Sequence, residues 1–159
     1  MIPKHQTKYS AGADLSANET VVIKPNEIRL VGTGCFVPEI KSIDQDFVFM
    51  LCNRSSVAYK RGLIVANGIG VIDQDYSDEI KVMFINLSGE DRVIQKGEKI
   101  AQLVPMRYVP GYFDVVENDR VGGFGSTDES KAFSELLDRS KKDIEQGKTK
   151  NLNDFMDGL

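Results

Sequence analysis

Histidine is almost missing from this chain: His5 is the only one. A Ser-His-Asp or Cys-His relay would have no credible base. The two cysteines, Cys35 and Cys52, cannot build a usual zinc site with that one histidine. Each stands alone beside apolar residues, so they read as reduced core thiols rather than a disulfide framework. No apolar run approaches the roughly 18 residues of a membrane span. Residues 1–5 have no apolar export-signal core, so the expected location is the cytoplasm. The three glycosylation sequons at Asn18, Asn53 and Asn86 then read as chance. Positive charge is not in excess, with 20 Lys and Arg against 24 Asp and Glu and a net charge of -4. That balance argues against nonspecific nucleic-acid binding and against an anionic membrane surface. Gly147-Lys148-Thr149 ends like a phosphate-binding loop, but Lys142 stands where the first glycine is required and no strand precedes it.

What remains is a chain of 159 residues, 41 % of them hydrophobic, enough for one cored domain or a domain with a tail. Short β-rich runs recur at 21–23, 28–31, 47–51, 63–65, 80–85, 101–104 and 112–116. Turn signals separate them: Pro25-Asn26, Gly32 and Gly34, Asn67-Gly68, Ser88-Gly89 and Pro110-Gly111. This pattern predicts an all-β barrel, sandwich or jelly roll, and nothing before residue 127 shows a convincing helical period. After Thr127 the pattern changes. Ala132, Phe133, Leu136, Leu137, Ser140 and Ile144 fall on one helical face, which predicts a β domain over 1–127 and a helical tail over 128–159.

The chemistry-bearing residues lie in short clusters. Asp73 and Tyr76 stand three apart on what reads as a glycine-entered hairpin from Asn67-Gly68 through Gly70. An aspartate there can orient water and take its proton, while a tyrosine can lie flat under a deoxyribose and exclude a 2′-hydroxyl. The backbone at Asn67 and Gly70 can present N–H and C=O groups to the edge of a base. Arg54-Ser55-Ser56 follows an apolar strand and supplies a guanidinium and two hydroxyls suited to phosphate oxygens. Gln102 interrupts the apolar run 100–104, where an amide needs partners. Gly122-Gly123-Phe124-Gly125 sets one ring among three glycines, between Arg120 and the hydroxyls of Ser126 and Thr127, a composition suited to a lid.

Together and in order, these clusters resemble the five motifs of the trimeric dUTPase family. Ser10-Ala11-Gly12-Ala13-Asp14-Leu15 resembles the first, Arg54-Ser55-Ser56 the second and residues 67–76 the third. Gly97-Glu98-Lys99-Ile100-Ala101-Gln102 resembles the fourth and residues 122–127 the fifth. The resemblance implies a distorted jelly-roll subunit, a homotrimer with shared active sites, dUTP as substrate, dUMP and pyrophosphate as products, and Mg2+ on the triphosphate. It implies that Asp73 activates the water, Tyr76 stacks on deoxyribose, and Asn67 and the backbone around Gly70 read uracil. Arg54, Ser55, Ser56 and Gln102 would hold phosphates. Phe124 and Gly125 would cover the base, with Ser126, Thr127 and Arg120 toward the terminal phosphates, and Asp14 would meet metal-bound water or serve structure alone. The chain departs from the pattern in three places. Arg120 precedes Phe124 by four residues rather than five, and aspartates stand at Asp78 and Asp128 where the family has glycine. The tail is not a usual family feature, and its apolar face calls for packing within the oligomer or on a protein partner. A regulatory role through the tail is the alternative from another class. A deaminase of dCTP, which shares the fold, is disfavoured because Met83 and Tyr59 occupy positions where it needs glutamate and arginine.

Overall fold

The computed structural model describes residues 2–40, 46–111, 113–114 and 123. The chain divides into two compact units, Met1–Asn118 and Asp119–Leu159. Every element below belongs to the first, and of the second only Gly123 is described. The tail over 128–159 therefore lies outside the described residues.

Successive side chains of a strand point to opposite faces, so burial alternates along it. In β7 (Glu79–Asn86) Ile80, Val82, Phe84 and Asn86 are buried, while the residues between them are exposed or half-buried. In β4 (Phe47–Asn53) Phe47, Phe49 and Leu51 point inward, and the first two rings meet edge to face at 5.0 Å. The other strands are β1 (Ala13–Ser16), β2 (Val21–Ile23), β3 (Ile28–Phe36), β5 (Leu63–Val65), β6 (Gly70–Ile72), β8 (Arg92–Ile94) and β9 (Lys99–Arg107). They form three antiparallel sheets, ordered β1-β9-β4-β6, β2-β8 and β3-β7-β5. Most neighbours are far apart in sequence, which is how a distorted jelly roll closes around its core. Ile23, Leu63, Ile80, Phe84, Ile94 and Ile100 are fully buried at its centre.

Two buried polar residues are satisfied internally. Asn86 Nδ2 donates to the carbonyls of Ile23 and Glu90 at 2.9 and 2.8 Å, and its Oδ1 accepts from the N–H and hydroxyl of Ser88. Thr33 Oγ1 donates to the Ile80 carbonyl at 2.6 Å, tying β3 to β7.

The structure departs from the sequence expectation in four places. A helix, α1 (Ser55–Arg61), follows β4. Its seven residues bury only Val57, so it leaves no periodic apolar stripe to read, and it ends on Gly62 in the left-handed region at φ 64°. A 3-10 turn occupies Val37–Glu39. Strands β1, β6 and β8 are too short or too polar to stand out as runs. The run expected at 112–116 is not a strand at 113–114, and its other residues lie outside the described ones.

Cys35 is completely buried and unbridged, while Cys52 is half-buried and unbridged. Burial pushes the Cys35 thiol up from its ordinary 9.0 to about 11, because a thiolate there would lose its water. The folded state then holds this proton longer than the unfolded chain does. Its contribution to stability is complete below pH 9 and is lost as pH climbs through 11. Denaturant melts across pH 8–11 on the protein and on Cys35→Ala check this: the native protein should lose stability more steeply in that window, and equal slopes would refute it.

Candidate active site

The site grows from strand register. Strand β9 lies between β1 and β4, with Gln102 opposite both Asp14 and Cys52. Residues directly opposite in antiparallel strands share a face, so Asp14 and Gln102 come together there. Arg54 follows the end of β4 and begins α1. Its side chain makes no cap bond, since a guanidinium has no acceptor to offer the helix N–H groups, and it reaches Asp14 and Lys99 instead. Its Nε stands 3.1 Å from Asp14 Oδ1, and a terminal nitrogen donates to the Lys99 carbonyl at 2.9 Å. The Lys99 ammonium lies 3.4 Å from Asp14 Oδ2 and donates to Gln6 Oε1 at 2.5 Å. Asp14, with a side chain only 11 % exposed, thus faces a cation at each carboxylate oxygen. Its Oδ2 makes no hydrogen bond in this arrangement, so the Lys99 contact is one of charge alone.

These residues border an open cleft of about 390 Å³. One wall is Asp14, Arg54, Ser55, Ser56 and Gln102. The other is the segment before β1, contributing Gln6 and Ser10 to Gly12, which hydrogen bonds to β1 through Asp14 N–H and the Lys4 carbonyl at 3.1 Å. Hydroxyls, a guanidinium held from two sides and an amide form a set of donors for anionic oxygens. Gly12 leaves room for the Gln102 amide: a Cβ there would stand 2.7 Å from Gln102 Oε1 and push that side chain aside. Among the described residues no three His, Cys, Asp or Glu side chains gather as a metal cage.

Residues 67–76 lie elsewhere. Strand β6 is at the opposite edge of the four-stranded sheet from β1, and nothing from 67–76 borders the cleft. Nor is this segment a hairpin. Its flanking strands β5 and β6 pair with β7 and β4 respectively, so the Asn67-Gly68 turn, with Gly68 at φ 76°, carries the chain between two sheets. An Asn-Gly pair specifies a tight turn but not which strands will pair across it. Gly70 is buried against Leu51, where a Cβ would come within 3.1 Å. A β-turn then runs from Asp73 to Tyr76, closed by Tyr76 N–H to the Asp73 carbonyl at 3.2 Å. Asn67 and Asp73 are exposed, whereas Tyr76 as a residue is 6 % exposed and its hydroxyl donates to the Glu79 carbonyl at 3.3 Å.

The sequence model of the dUTPase family matches residues 1–128. This chain belongs to the dUTPase family. It is 41 % identical over 134 residues to the deoxyuridine 5'-triphosphate nucleotidohydrolase of Nautilia profundicola, covering 80 % of this chain and 90 % of the relative. Its fold superposes on the dUTPase of Streptococcus mutans with a TM-score of 0.60 at 31 % identity, covering 67 % of this chain and 85 % of that one. A mutant dUTPase from phage phi11 of S. aureus, whose structure describes coordination of a structural Mg(II) ion, superposes with a TM-score of 0.61 at 26 % identity, covering 75 % and 91 %.

Of the residues expected to serve a dUTPase site, Asp14, Arg54, Ser55, Ser56 and Gln102 meet in one cleft. Asn67, Gly70, Asp73 and Tyr76 form a separate group. Arg120, Phe124, Gly125, Ser126 and Thr127 lie outside the described residues. Sequence reasoning missed Gln6, which precedes the first motif, and the Lys99 ammonium. The signal for Lys99 was its place in the segment 97–102 that resembles the fourth motif, since a lysine on a strand ordinarily reads as solvated surface.

Gly12→Ala should displace the Gln102 amide from the cleft while leaving the core intact. Titration with inorganic pyrophosphate should show affinity reduced roughly 3–10-fold, the range for one lost hydrogen bond. Unchanged affinity would mean that Gln102 does not serve the anion.

Proposed function

We propose that this protein hydrolyses dUTP to dUMP and pyrophosphate. The observation that supports this best is the cleft in which an Asp14-held Arg54 stands beside Ser55, Ser56 and Gln102 in a chain of this family. That donor set suits a polyphosphate. In this reading the exposed carboxylate of Asp73 takes a proton from water as the water attacks the α-phosphorus. The bond from that phosphorus to the bridging oxygen breaks, and pyrophosphate leaves. Arg54, Ser55, Ser56 and Gln102 hold the phosphates in line, so positioning and charge compensation do most of the work. Asn67 and the backbone at Gly70 read uracil, and unpaired polar groups would disfavour cytosine. Tyr76 lies against the sugar. Phe124 and Gly125 close over the base, and Arg120, Ser126 and Thr127 face the terminal phosphates. The domain 1–127 thus contains the machinery, with the tail 128–159 packing within the oligomer.

Because the Asp73 segment does not border the phosphate cleft of its own chain, the reading needs a second copy to bring Asp73 to that cleft. A homotrimer with shared sites meets that need. Mg2+ on the triphosphate would neutralise charge that Arg54 and Arg120 together leave uncompensated. It would be held mainly by substrate phosphates and waters, and the buried, hydrogen-bond-free Asp14 Oδ2 would fit as an acceptor for one such water. No helix among the described residues is long and apolar enough to cross a membrane. The two free cysteines suit a reducing compartment, and we place the protein in the cytoplasm.

Pyrophosphate release measured across dUTP, dCTP, dTTP and UTP tests the reading, and dUTP should exceed the other three by a wide margin. Asp73→Asn should lower turnover on dUTP by about 10²-fold or more, the scale of general-base loss, while nucleotide binding persists. Near-native turnover in the mutant would remove Asp73 from the chemistry, and ammonia release from dCTP would replace the reading altogether.

A further inference from the structure

The pairing of β3 with β7 runs regularly from Ile28↔Ile85 to Gly32↔Lys81 and then slips, so that the next pair is Phe36↔Glu79. Four steps along β3 are matched by two along β7, and the surplus forms a bulge at Gly34, which sits at φ 61°. The bulge turns the Gly34 N–H onto Glu79 Oε1 at 2.7 Å. The same oxygen accepts from Asn18 Nδ2, also at 2.7 Å, and the Asn18 N–H donates to the Gly32 carbonyl at 3.0 Å. Gly32 leaves the room this requires: a Cβ there would stand 2.8 Å from Asn18 Oδ1 and 2.9 Å from Glu79 Oε1. One carboxylate therefore ties together the β1–β2 loop, the β3 bulge and the start of β7. From the same residue the main-chain carbonyl accepts the Tyr76 hydroxyl, and Tyr76 closes the turn that begins at Asp73.

We propose that Glu79 is a positioning residue for sugar selectivity: its clamped carboxylate fixes its own main-chain carbonyl, which fixes the tilt of the Tyr76 ring. This rests on the reading of Tyr76 as the sugar-facing ring. Two short bonds to a carboxylate are charge-assisted and directional, so they hold the β7 backbone more firmly than the two-residue link from Asp78 back to Tyr76 could. Exclusion of a 2′-hydroxyl by contact depends on ring placement within a fraction of an ångström. A ring whose hydroxyl is bonded to a fixed carbonyl resists tilting.

The test is the ratio of kcat/KM for dUTP over UTP, with kcat and KM resolved separately, in the native protein and in Glu79→Ala, Glu79→Gln, Tyr76→Phe and Tyr76→Ala. Glu79→Ala should lower the ratio roughly tenfold, within the range for a changed contact in a selectivity pocket, chiefly by lowering KM for UTP. Tyr76→Phe cuts the same link without touching the clamp and should lower the ratio roughly 3–10-fold. Glu79→Gln keeps an acceptor at Oε1 and should stay near native. A merely structural role would reduce activity on both nucleotides alike and leave the ratio unchanged. An unchanged ratio in folded Glu79→Ala overturns the inference. If that variant does not fold, an unchanged ratio in Tyr76→Phe overturns it equally. A native protein that does not discriminate, or a Tyr76→Ala variant that discriminates as well as native, overturns the reading of Tyr76 itself and the inference with it.

Discussion

Strand β9 hydrogen bonds to β1 on one side and β4 on the other, and the register of those two ladders brings Asp14, Gln102 and Arg54 to one cleft. With Gln102 opposite Asp14 on one flank and opposite Cys52 on the other, the residue just beyond β4 arrives as Arg54 within reach of Asp14. A slip of one residue in either ladder would turn Asp14 or Gln102 to the other face of the sheet and put a polar group into the core. Leu15, Ala101 and Leu51, buried on that other face, oppose such a slip. The apolar pattern that folds the sheet therefore also aims the polar residues of the cleft.

Asp14 lies in the wall of that cleft as an organiser of cations. An almost buried carboxylate costs desolvation energy unless charge and hydrogen bonds compensate it, and here Arg54 and Lys99 compensate it from opposite sides. Arg54 in turn is held by the Lys99 carbonyl, so its guanidinium is oriented before any anion arrives. The rest of the donor set follows from position: Ser55 and Ser56 open α1 immediately after Arg54. Preorganisation of this kind reduces the ordering cost that binding would otherwise incur.

The fold and the site were legible to different depths. The β-rich runs within β4, β7 and β9 could be read directly, because β-branched and aromatic residues bounded by turn signals favour strands. Helix α1 could not, since seven residues with one buried side chain leave no stripe. Asn67-Gly68 announced a turn, but the partners of β5 and β6 depend on contacts with β7 and β4 that no local pattern encodes. Most residues of the cleft were visible as residue types in ordered clusters, yet Gln6 carried no signal of its own, because its place there comes from the path of the chain before β1. Cys35 read correctly as a core thiol, while the half-buried Cys52 sits on the outer face of β4.

The sequence alone determined the all-β class, the resemblance to the dUTPase family and the residue types of the site. Those properties depend on side-chain chemistry and on spacing along the chain. The tertiary structure decided which of those residues meet. Asp14, Arg54, Ser55, Ser56 and Gln102 share a cleft, and Asn67, Gly70, Asp73 and Tyr76 sit at the far edge of the same sheet or beyond it. The physical reason is that strand pairing in this fold is almost entirely non-local. Which edge a cluster reaches is set by ladders between strands distant in sequence, and those ladders form only when the whole apolar core is assembled.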